Sequence, residues 1–431
     1  MERRTFLMGA GLASMAARAA GDSANGKVGI GVIGIGGRGR DHLRYYSKLP
    51  DARVVAICDV NQAQTERGVQ IVERLQGGKP HVHQDLRKLF EDKDVDAVSI
   101  ATPNHWHALA TIWACQAGKD VYCEKPACYN MFEGRAMVAA ARKNNRMVQI
   151  GMQGRTIAHK QRAMDLLHSG AIGQVYMARG ICYKRRPSIG HTPAEPVPAG
   201  LNWDLFLGPA PMREYTKSRY QYNWHWFWDT GNGDIGNQGI HEMDLARRGL
   251  DRDLPKGVVS TGGKYVYEDD QETPNTQIAT FDYGDAELVF EVRGLNTGGD
   301  AGIPPSGPNF IGVTFFGSKG FMPVDEHGFQ IFLGDKRELG ESMQHAESEI
   351  DATIPHMANF LKAVKSRNAA DLNADVSVGV TSADLVHMAN MSYRLGRKLN
   401  YDPASASFPG DAEANAMMTR PVYRSPYVAE L

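Results

Sequence analysis

The stretch from Lys27 to Leu43 constrains the fold more than any other part of the chain. A short run of β-branched residues precedes three glycines, Gly34, Gly36 and Gly39, at the G-x-G-x-x-G spacing of a strand–turn–helix unit that binds dinucleotides. The first glycine permits a tight turn, the second lets the backbone approach a diphosphate, and the third lets helix and strand pack closely. The diphosphate then lies at the helix N-terminus. A glycine-rich surface turn is the alternative interpretation.

An acidic residue supports the nucleotide interpretation. The apolar run over residues 54–58 predicts a second strand, and Asp59 follows it, about 20 residues after Gly39. A carboxylate at this position accepts hydrogen bonds from the adenosine ribose and repels a 2′-phosphate. The sequence therefore predicts NAD as the cofactor in preference to NADP.

Length and composition narrow the possibilities further. A chain of 431 residues predicts more than one domain. The 48 basic and 49 acidic residues are balanced, which argues against nucleic acid or an anionic membrane surface as a partner. The five cysteines form no C-x-x-C pair, so we expect buried thiols and predict no metal site.

The N-terminus has a different character. Arg3 and Arg4 are followed by Phe6 and Leu7 and then by a stretch rich in glycine and alanine, so residues 1–26 resemble a twin-arginine export signal. This predicts a periplasmic protein with no membrane anchor after cleavage, which crosses the membrane folded and carries its cofactor. The alternative is an N-terminal amphipathic helix that stays attached, in a cytoplasmic protein.

Residues 27–150 alternate short apolar strands with helices, the pattern of a doubly wound parallel α/β sheet. In such sheets the ligand lies at the carboxyl ends of the strands. Asp59, the loop 102–107 and the turn 124–126 all follow predicted strands, so all three should face the nucleotide. The predicted cofactor-binding residues are Gly34, Gly36, Gly37, Arg38, Gly39, Asp59, Thr102, Pro103, Asn104, His107, Glu124 and Lys125.

Beyond Gly151 long strands dominate. Residues 151–400 predict an α+β domain in which helices pack on one face of a large, mostly antiparallel open sheet, and residues 401–431 predict a surface tail. The predicted strands are 263–267, 276–283, 286–293, 312–316 and 329–333, and the late helices are 352–366 and 380–397.

Lys125 is the first candidate for chemistry. A lysine beside a nicotinamide feels the positive ring, which lowers the pKa of its amine and suits it to polarise a carbonyl or stabilise an alkoxide. Pro126 then restricts the turn that aims it. The alternative is an exposed loop lysine.

Five features in combination resemble the Gfo/Idh/MocA oxidoreductases: the glycine loop, Asp59, Thr102–His107, Glu124–Pro126 and Gly233–Asp244. The likeness covers residues 27–400. It implies an N-terminal Rossmann domain, a C-terminal α/β domain with an open sheet, and tightly held NAD(P). It also implies a carbohydrate or cyclitol substrate and a homodimer or homotetramer built through that sheet.

The same resemblance places a histidine beside the substrate hydroxyl at His241. Four residues earlier the family usually has an aspartate, but this chain has Asn237, which cannot ionise. Residues 233–250 predict one helix that presents Asn237, His241 and Asp244 on one face. We therefore expect Lys125, His241 and Asn237 to be catalytic, with Asp234 or Asp244 left to supply the missing charge, or with His241 working with Lys125 alone.

An aromatic run from Tyr220 to Trp228 precedes this helix, and such side chains stack on sugar rings. A core or subunit-interface cluster is the alternative. The predicted substrate-binding residues are Trp226, Asp234, Asn237, His241 and Tyr183. Arg155, Lys184, Arg185 and Arg186 are candidates for binding acidic sugars, or form a solvated basic loop.

These features predict an NAD-dependent oxidoreductase acting on a sugar, cyclitol or glycoside. Because no free NAD pool exists outside the cytoplasm, an exported enzyme needs a closed cycle. One such cycle returns the hydride to a second substrate. Another is redox-neutral glycoside cleavage by transient oxidation, elimination and re-reduction, which needs a base such as His241 or Tyr183. A non-catalytic sugar-binding protein that keeps NAD is the third hypothesis.

Overall fold

The structure is a computed structural model that describes residues 26–295, 309–345 and 352–428. The predicted export signal therefore lies outside the described residues, apart from Gly26. Within the described ranges, no helix is both long enough and apolar enough to cross a membrane.

A six-stranded parallel sheet forms the N-terminal domain, in the order β3-β2-β1-β4-β5-β6. Its strands are β1 (Val28–Ile33), β2 (Ala52–Cys58), β3 (His81–His83), β4 (Ala97–Ile100), β5 (Asp120–Cys123) and β6 (Val148–Ile150). Its helices are α1 (Arg38–Tyr46), α2 (Gln62–Gln76), α3 (Leu86–Phe90), α4 (His107–Gln116) and α5 (Met131–Lys143). Every residue of β1 is buried, as expected when helices cover both faces. The predicted doubly wound Rossmann sheet is confirmed.

A nine-stranded sheet forms the second domain, in the order β14-β13-β12-β11-β7-β10-β9-β8-β15. Its strands are β7 (Val175–Lys184), β8 (Gly257–Gly263), β9 (Thr276–Asp282), β10 (Glu287–Arg293), β11 (Asn309–Gly317), β12 (Gly320–Asp325), β13 (Gly328–Leu333), β14 (Glu338–Gln344) and β15 (Leu399–Asn400). Among the described strands of this nine-stranded sheet, β7 and β10 are the one parallel pair of neighbours. The predicted mostly antiparallel sheet is confirmed.

The remaining helices are α6 (Ala158–His168), α7 (Trp203–Leu207), α8 (Gly233–Asn237), α9 (Gly239–Leu250), α10 (Thr353–Ser366), α11 (Val376–Leu395) and α12 (Ala412–Met417). Helix α9 packs on β7, and Gly180 of β7 faces Glu242 of α9. We call this helix-covered side of the sheet the inner face. Helix α10 packs instead into the core of the Rossmann domain, where Phe360 contacts Tyr122.

Two local predictions are wrong. Residues 263–267 are not a strand, because the Asn275 side chain pairs with both backbone groups of Tyr265 and holds them in a loop. Residues 233–250 form two helices that break at Gln238, not one. Strands β12 and β14 were not predicted at all. Pro323 interrupts the pattern of β12, and β14 is a polar, mostly exposed edge strand.

Candidate functional site

The glycine loop leaves open space at the N-terminus of α1. Gly34 has a φ of +85°, and a Cβ atom on Gly39 would lie 1.7 Å from the carbonyl oxygen of Gly34, so neither position tolerates a side chain. A Cβ atom on Gly36 or Gly37 would meet no atom within 4 Å. The loop therefore fits a diphosphate, which backbone N–H groups at the start of α1 could hold.

Asp59 lies beside this loop at the end of β2. One carboxylate oxygen accepts a hydrogen bond from Ile35 N at 2.6 Å and the other accepts one from Asn61 N at 2.8 Å. Burial raises the pKa of Asp59 to about 6, and these two bonds oppose the rise. Each oxygen keeps a lone pair, so the carboxylate could also accept ribose hydroxyls.

A segment of the second domain reaches back over this edge. Residues 187–220, which we call the excursion, pair with residues 60–62 just after Asp59. Gln62 N donates to Gly200 O at 2.9 Å, Asn202 N donates to Val60 O at 2.9 Å, and Asn61 Nδ2 donates to Tyr220 Oη at 3.0 Å. The excursion has its own apolar cluster, formed by Leu201, Trp203, Phe206, Leu207 and Tyr215. Its proline-rich sequence has no periodicity, so sequence reasoning missed it.

Arg38 and Glu124, both predicted to bind the cofactor, are partners of each other. The Glu124 carboxylate is buried and accepts hydrogen bonds from Arg38 Nε at 3.0 Å and His42 Nε2 at 2.9 Å. Burial opposes ionisation of Glu124, but Arg38 and His42 outweigh it and hold the pKa of this carboxyl well below its usual range. Arg38 Nη2 also donates to Thr353 Oγ1 at 2.8 Å. This network anchors the turn that carries Lys125.

The loop 102–107, after β4, is held in place by hydrogen bonds of its own buried side chains. His107 Nδ1 lies 2.7 Å from Pro126 O, and its Nε2 lies 2.9 Å from Thr102 O. Asn104 Nδ2 donates to Asn232 Oδ1 at 2.5 Å. His107 and Asn104 are therefore buried positioning residues, whereas the Thr102 hydroxyl, next to Pro103, has no hydrogen-bond partner among the described residues.

Lys125 bridges the two domains. It follows β5, and its Nζ donates to the backbone oxygen of Asn237, at the end of α8, at 2.6 Å. Burial lowers the pKa of the Lys125 amine, and Glu124 opposes this shift. An amine with a lowered pKa accepts and gives up a proton at lower pH than an ordinary lysine does, which suits a group that exchanges a proton with substrate.

The side chain of Asn237 belongs to a polar network and not to His241. Arg186 makes a two-point ion pair with Asp234, at 3.0 and 2.7 Å, and donates to Tyr222 Oη at 2.9 Å. Asn237 Nδ2 donates to the same Tyr222 oxygen at 2.9 Å. The buried Trp226 ring lies under the Arg186 guanidinium, 5.7 Å away. The structure thus brings Trp226, Asp234 and Asn237 together around Arg186.

His241 projects from the first turn of α9. Burial, together with the charge of Lys125, lowers the pKa of its imidazole to about 3, so the ring is neutral. Its ring nitrogens make no hydrogen bond within the described chain. Asp244 accepts from Arg155 at 2.8 Å through each oxygen, and Asp234 pairs with Arg186, so neither aspartate partners His241. Among the described residues, His241 therefore has no carboxylate partner.

Tyr183 lies on the other face of the sheet. Cys182 and Gly180 of β7 face α9, and alternation turns Tyr183 outward. Its hydroxyl donates to Glu291 Oε2 at 2.9 Å, and Arg293 lies over its ring. The structure therefore does not bring Tyr183 together with His241.

His225 is a further histidine near Lys125 that sequence reasoning passed over. Its ring stacks on Trp224 at a centroid distance of 3.6 Å, and its Nδ1 donates to Tyr222 O at 2.5 Å. Burial and the charge of Lys125 lower its pKa to about 3 despite this hydrogen bond. The ring is therefore neutral, and its Nε2 bonds to no described residue. The one sequence signal for His225 is its position within the aromatic run from Tyr220 to Trp228.

Comparison with known families covers most of the chain. A family model described as an oxidoreductase family with an NAD-binding Rossmann fold matches residues 28–152. A second model, described as the C-terminal alpha/beta domain of an oxidoreductase family, matches residues 175–285 and 325–429.

Individual relatives are more distant. The chain is 34% identical over 157 residues to inositol 2-dehydrogenase of Salmonella typhimurium, a match that spans 36% of this chain and 45% of that enzyme. The chain thus matches less than half the length of that relative. Two solved structures share the fold over 87–88% of this chain. They are the WlbA dehydrogenase of Chromobacterium violaceum in complex with NADH and UDP-GlcNAcA (TM-score 0.65, 20% identity, 96% of that chain covered) and levoglucosan dehydrogenase in complex with NADH (TM-score 0.67, 19% identity, 99% covered).

Proposed function

The chain belongs to the Gfo/Idh/MocA oxidoreductase family, and we propose that it is an NAD-dependent enzyme that oxidises a hydroxyl group of a sugar, cyclitol or glycoside. The observation that carries this proposal is the meeting of Lys125 and α8–α9 at the carboxyl edge of the Rossmann sheet. We propose NAD in preference to NADP, because a carboxylate at the end of the second strand accepts ribose hydroxyls and repels a 2′-phosphate, and Asp59 is such a carboxylate.

The bound nicotinamide would supply the hydride acceptor. Lys125 Nζ would hydrogen-bond the reacting hydroxyl and accept its proton, because burial makes the neutral amine accessible. His241, which is neutral, would hydrogen-bond the same hydroxyl and orient it. Asn237, Asp234 and Trp226 would position the rest of the ring, with Arg186 and Tyr222 holding them in place.

The excursion supports a second part of the proposal, that NAD stays bound through many turnovers. It pairs with the backbone directly after Asp59 and so encloses the edge where adenosine would lie. We propose that the protein is exported through the twin-arginine signal with NAD in place. Retained NAD requires a closed cycle, either hydride exchange between two sugars or redox-neutral glycoside cleavage.

The first experiment is to purify the full-length protein, denature it and quantify the released NAD(H) per chain. We expect near-stoichiometric cofactor, and an absorbance rise at 340 nm in rapid mixing when a substrate sugar is added without free NAD, from the NADH that forms before the hydride is returned. Lys125→Ala should keep the cofactor but lower the rate of this change by about 100-fold or more. A cofactor-free protein, or a Lys125→Ala variant with the rate of the unmodified enzyme, would refute the proposal.

A further inference from the structure

The edge strand of the Rossmann sheet carries two histidines that the chemistry at Lys125 does not use. Strand β3 consists of His81, Val82 and His83, and among the described strands it pairs with β2 alone. Side chains alternate along a strand, so His81 and His83 lie on the same face. Both imidazoles reach the carboxylate of Asp92, which follows α3. His81 Nδ1 lies 2.7 Å, and His83 Nε2 lies 3.3 Å, from the same Asp92 oxygen.

Asp94 adds a second carboxylate to this group. One ligand atom from each of His81, Asp92 and Asp94 lies within 4.8 Å of the other two. Among the described residues, no other three histidine, cysteine or carboxylate side chains bring their ligand atoms so close together. The ligand atoms of a tetrahedral Zn²⁺ ion, at metal distances of about 2.0–2.2 Å, stand about 3.3 Å apart. Small rotations of the three side chains would therefore let them share one ion.

The loop that carries the two aspartates is held in place from outside the group. Lys119 Nζ donates to the backbone oxygens of Asp92, at 2.9 Å, and of Val95, at 2.7 Å. The Asp92 side chain is only 9% exposed, and one of its oxygens also accepts a hydrogen bond from Asp94 N at 3.0 Å. The side chains of His81 and Asp94 are exposed. The central carboxylate is thus fixed, and the two outer side chains can adjust to an ion.

The types of ligand atom indicate which ion fits. Mg²⁺ and Ca²⁺ prefer sites built from oxygen atoms, whereas an imidazole together with carboxylates suits Zn²⁺. The expectation of no metal site rested on the cysteines, and this group consists of histidine and aspartate.

A simple ion pair between histidine and aspartate is the alternative interpretation, and the chain offers one for comparison. His191 Nδ1 lies 2.8 Å from Asp270, and in the described part of the chain no third metal-ligating side chain joins this pair. His81 differs from His191 by the second carboxylate, that of Asp94, and by the neighbouring His83.

We propose that His81, Asp92 and Asp94 bind a Zn²⁺ ion, and that His83 is a positioning residue that donates to the Asp92 carboxylate. Three protein ligands leave one position of a tetrahedral ion to solvent. The hydrogen bond from His83 would fix the orientation of the ligating carboxylate. The ion would link β3 to the segment between α3 and β4, and so stabilise the edge of the sheet next to Asp59, whose N–H donates to His83 O at 3.3 Å. The site does not depend on the proposed oxidoreductase function.

The test is zinc binding by the full-length protein, produced without a histidine tag and freed of metal with EDTA. Titration calorimetry with ZnCl₂ should show one ion per chain, and MgCl₂ and CaCl₂ should bind at least about 10-fold more weakly. His81→Ala and Asp94→Asn each remove a ligand and should raise the zinc dissociation constant by about 100-fold or more. His83→Phe, which keeps a ring without a donor, should raise it by about 10-fold.

His191→Ala is the matched control and should bind zinc as the unmodified protein does. Without metal, His81→Ala and Asp94→Asn should unfold at the temperature of the unmodified protein, because both side chains are exposed, so that lost zinc binding reports on the site and not on the fold. Absence of saturable zinc binding, or equal zinc affinity in His81→Ala and the unmodified protein, would overturn the proposal. Binding of Mg²⁺ or Ca²⁺ as tight as that of zinc would also overturn it, since the site would then be one for oxygen-seeking ions.

Discussion

The amine of Lys125 is subject to two opposing influences, burial, which lowers its pKa, and the neighbouring Glu124 carboxylate, which raises it. The balance leaves the pKa below the ordinary lysine value of about 10.4. If neutral Lys125 accepts the hydroxyl proton, its charge state governs the rate of oxidation. The pH at which the rate changes then reports directly on this side chain.

We therefore expect the oxidation rate at saturating substrate to rise with pH and level off below pH 10. In Glu124→Gln the midpoint should move to lower pH, because the group that stabilises the charged amine is lost. The measurement is the pH profile of the 340 nm change. A midpoint that stays in place in Glu124→Gln would assign the titration to another group, provided that the variant keeps its fold and cofactor.

For individual residues, the sequence indicated which side chains could take part in the chemistry, but not which side chains they would hydrogen-bond to. Lys125 was predicted from its place after a strand, and His241 from the family resemblance. Asn237 donates to Asp234, three positions earlier, which helix spacing brings near, but also to Tyr222, fifteen positions earlier, which a helix prediction does not specify. The sequence also did not reveal that Tyr183 lies on the face away from α9, since alternation specifies two faces but not which of them meets α9.

Among the elements, the excursion carries the main functional consequence. Its middle, at Gly200 and Asn202, and its last residue, Tyr220, are anchored to residues 60–62. Its interior is held by stacking of Trp203 on Phe206 at a centroid distance of 4.8 Å. An element of this kind slows ligand release if the ligand lies beneath it.

Trp203→Ala should loosen the excursion and accelerate release of bound NAD by about 10-fold or more, because the buried ring is the centre of its apolar cluster. Val197→Ala, a change at an exposed position of the same excursion, should have no effect. The release rate is measured by gel filtration and by displacement with labelled cofactor. Equal release rates in both variants would show that the excursion does not retain NAD.

At the scale of the whole molecule, one buried carboxyl links stability to pH. Asp384 on α11 is 4% exposed, its Oδ1 has no partner among the described residues, and burial raises its pKa to about 8. In the unfolded chain the value is about 3.9. A group whose pKa is raised by folding contributes its stability in full below the unfolded value and loses it as the pH rises through the folded value.

We thus expect stability to fall between about pH 4 and pH 8, and Asp384→Asn to remove much of this dependence, with a gain of about 1–3 kcal/mol at pH 8. Thermal unfolding at a series of pH values measures the effect. Asp94→Asn, at an exposed aspartate, is the control and should keep the slope of the unmodified protein. Parallel curves for Asp384→Asn and the unmodified protein would contradict the assignment.

The outer face of the nine-stranded sheet presents the surface that we propose for self-association. Val259 and Ile278 on neighbouring strands are about 40% exposed there. Ile278→Lys should dissociate the expected homodimer or homotetramer, as a charge buried in an apolar interface is strongly unfavourable. Light scattering after gel filtration measures the mass. Val422→Lys, at an exposed position of the C-terminal segment, should leave the assembly intact; a monomeric unmodified protein would disprove the proposal.

The sequence by itself determined the local units and their order. The turn at Gly34, the acid after β2, the lysine after β5 and the switch from parallel to antiparallel strands all depend on residues that are adjacent or regularly spaced, whose backbone preferences act locally. The tertiary structure alone decided which distant groups meet. It packed α10 on the Rossmann sheet, brought the excursion over residues 60–62, paired Arg186 with Asp234, and left one Glu242 oxygen at a cavity without a partner among the described residues. These outcomes depend on the docking of whole elements, which buries apolar faces first and gives polar groups whatever partners that packing brings near.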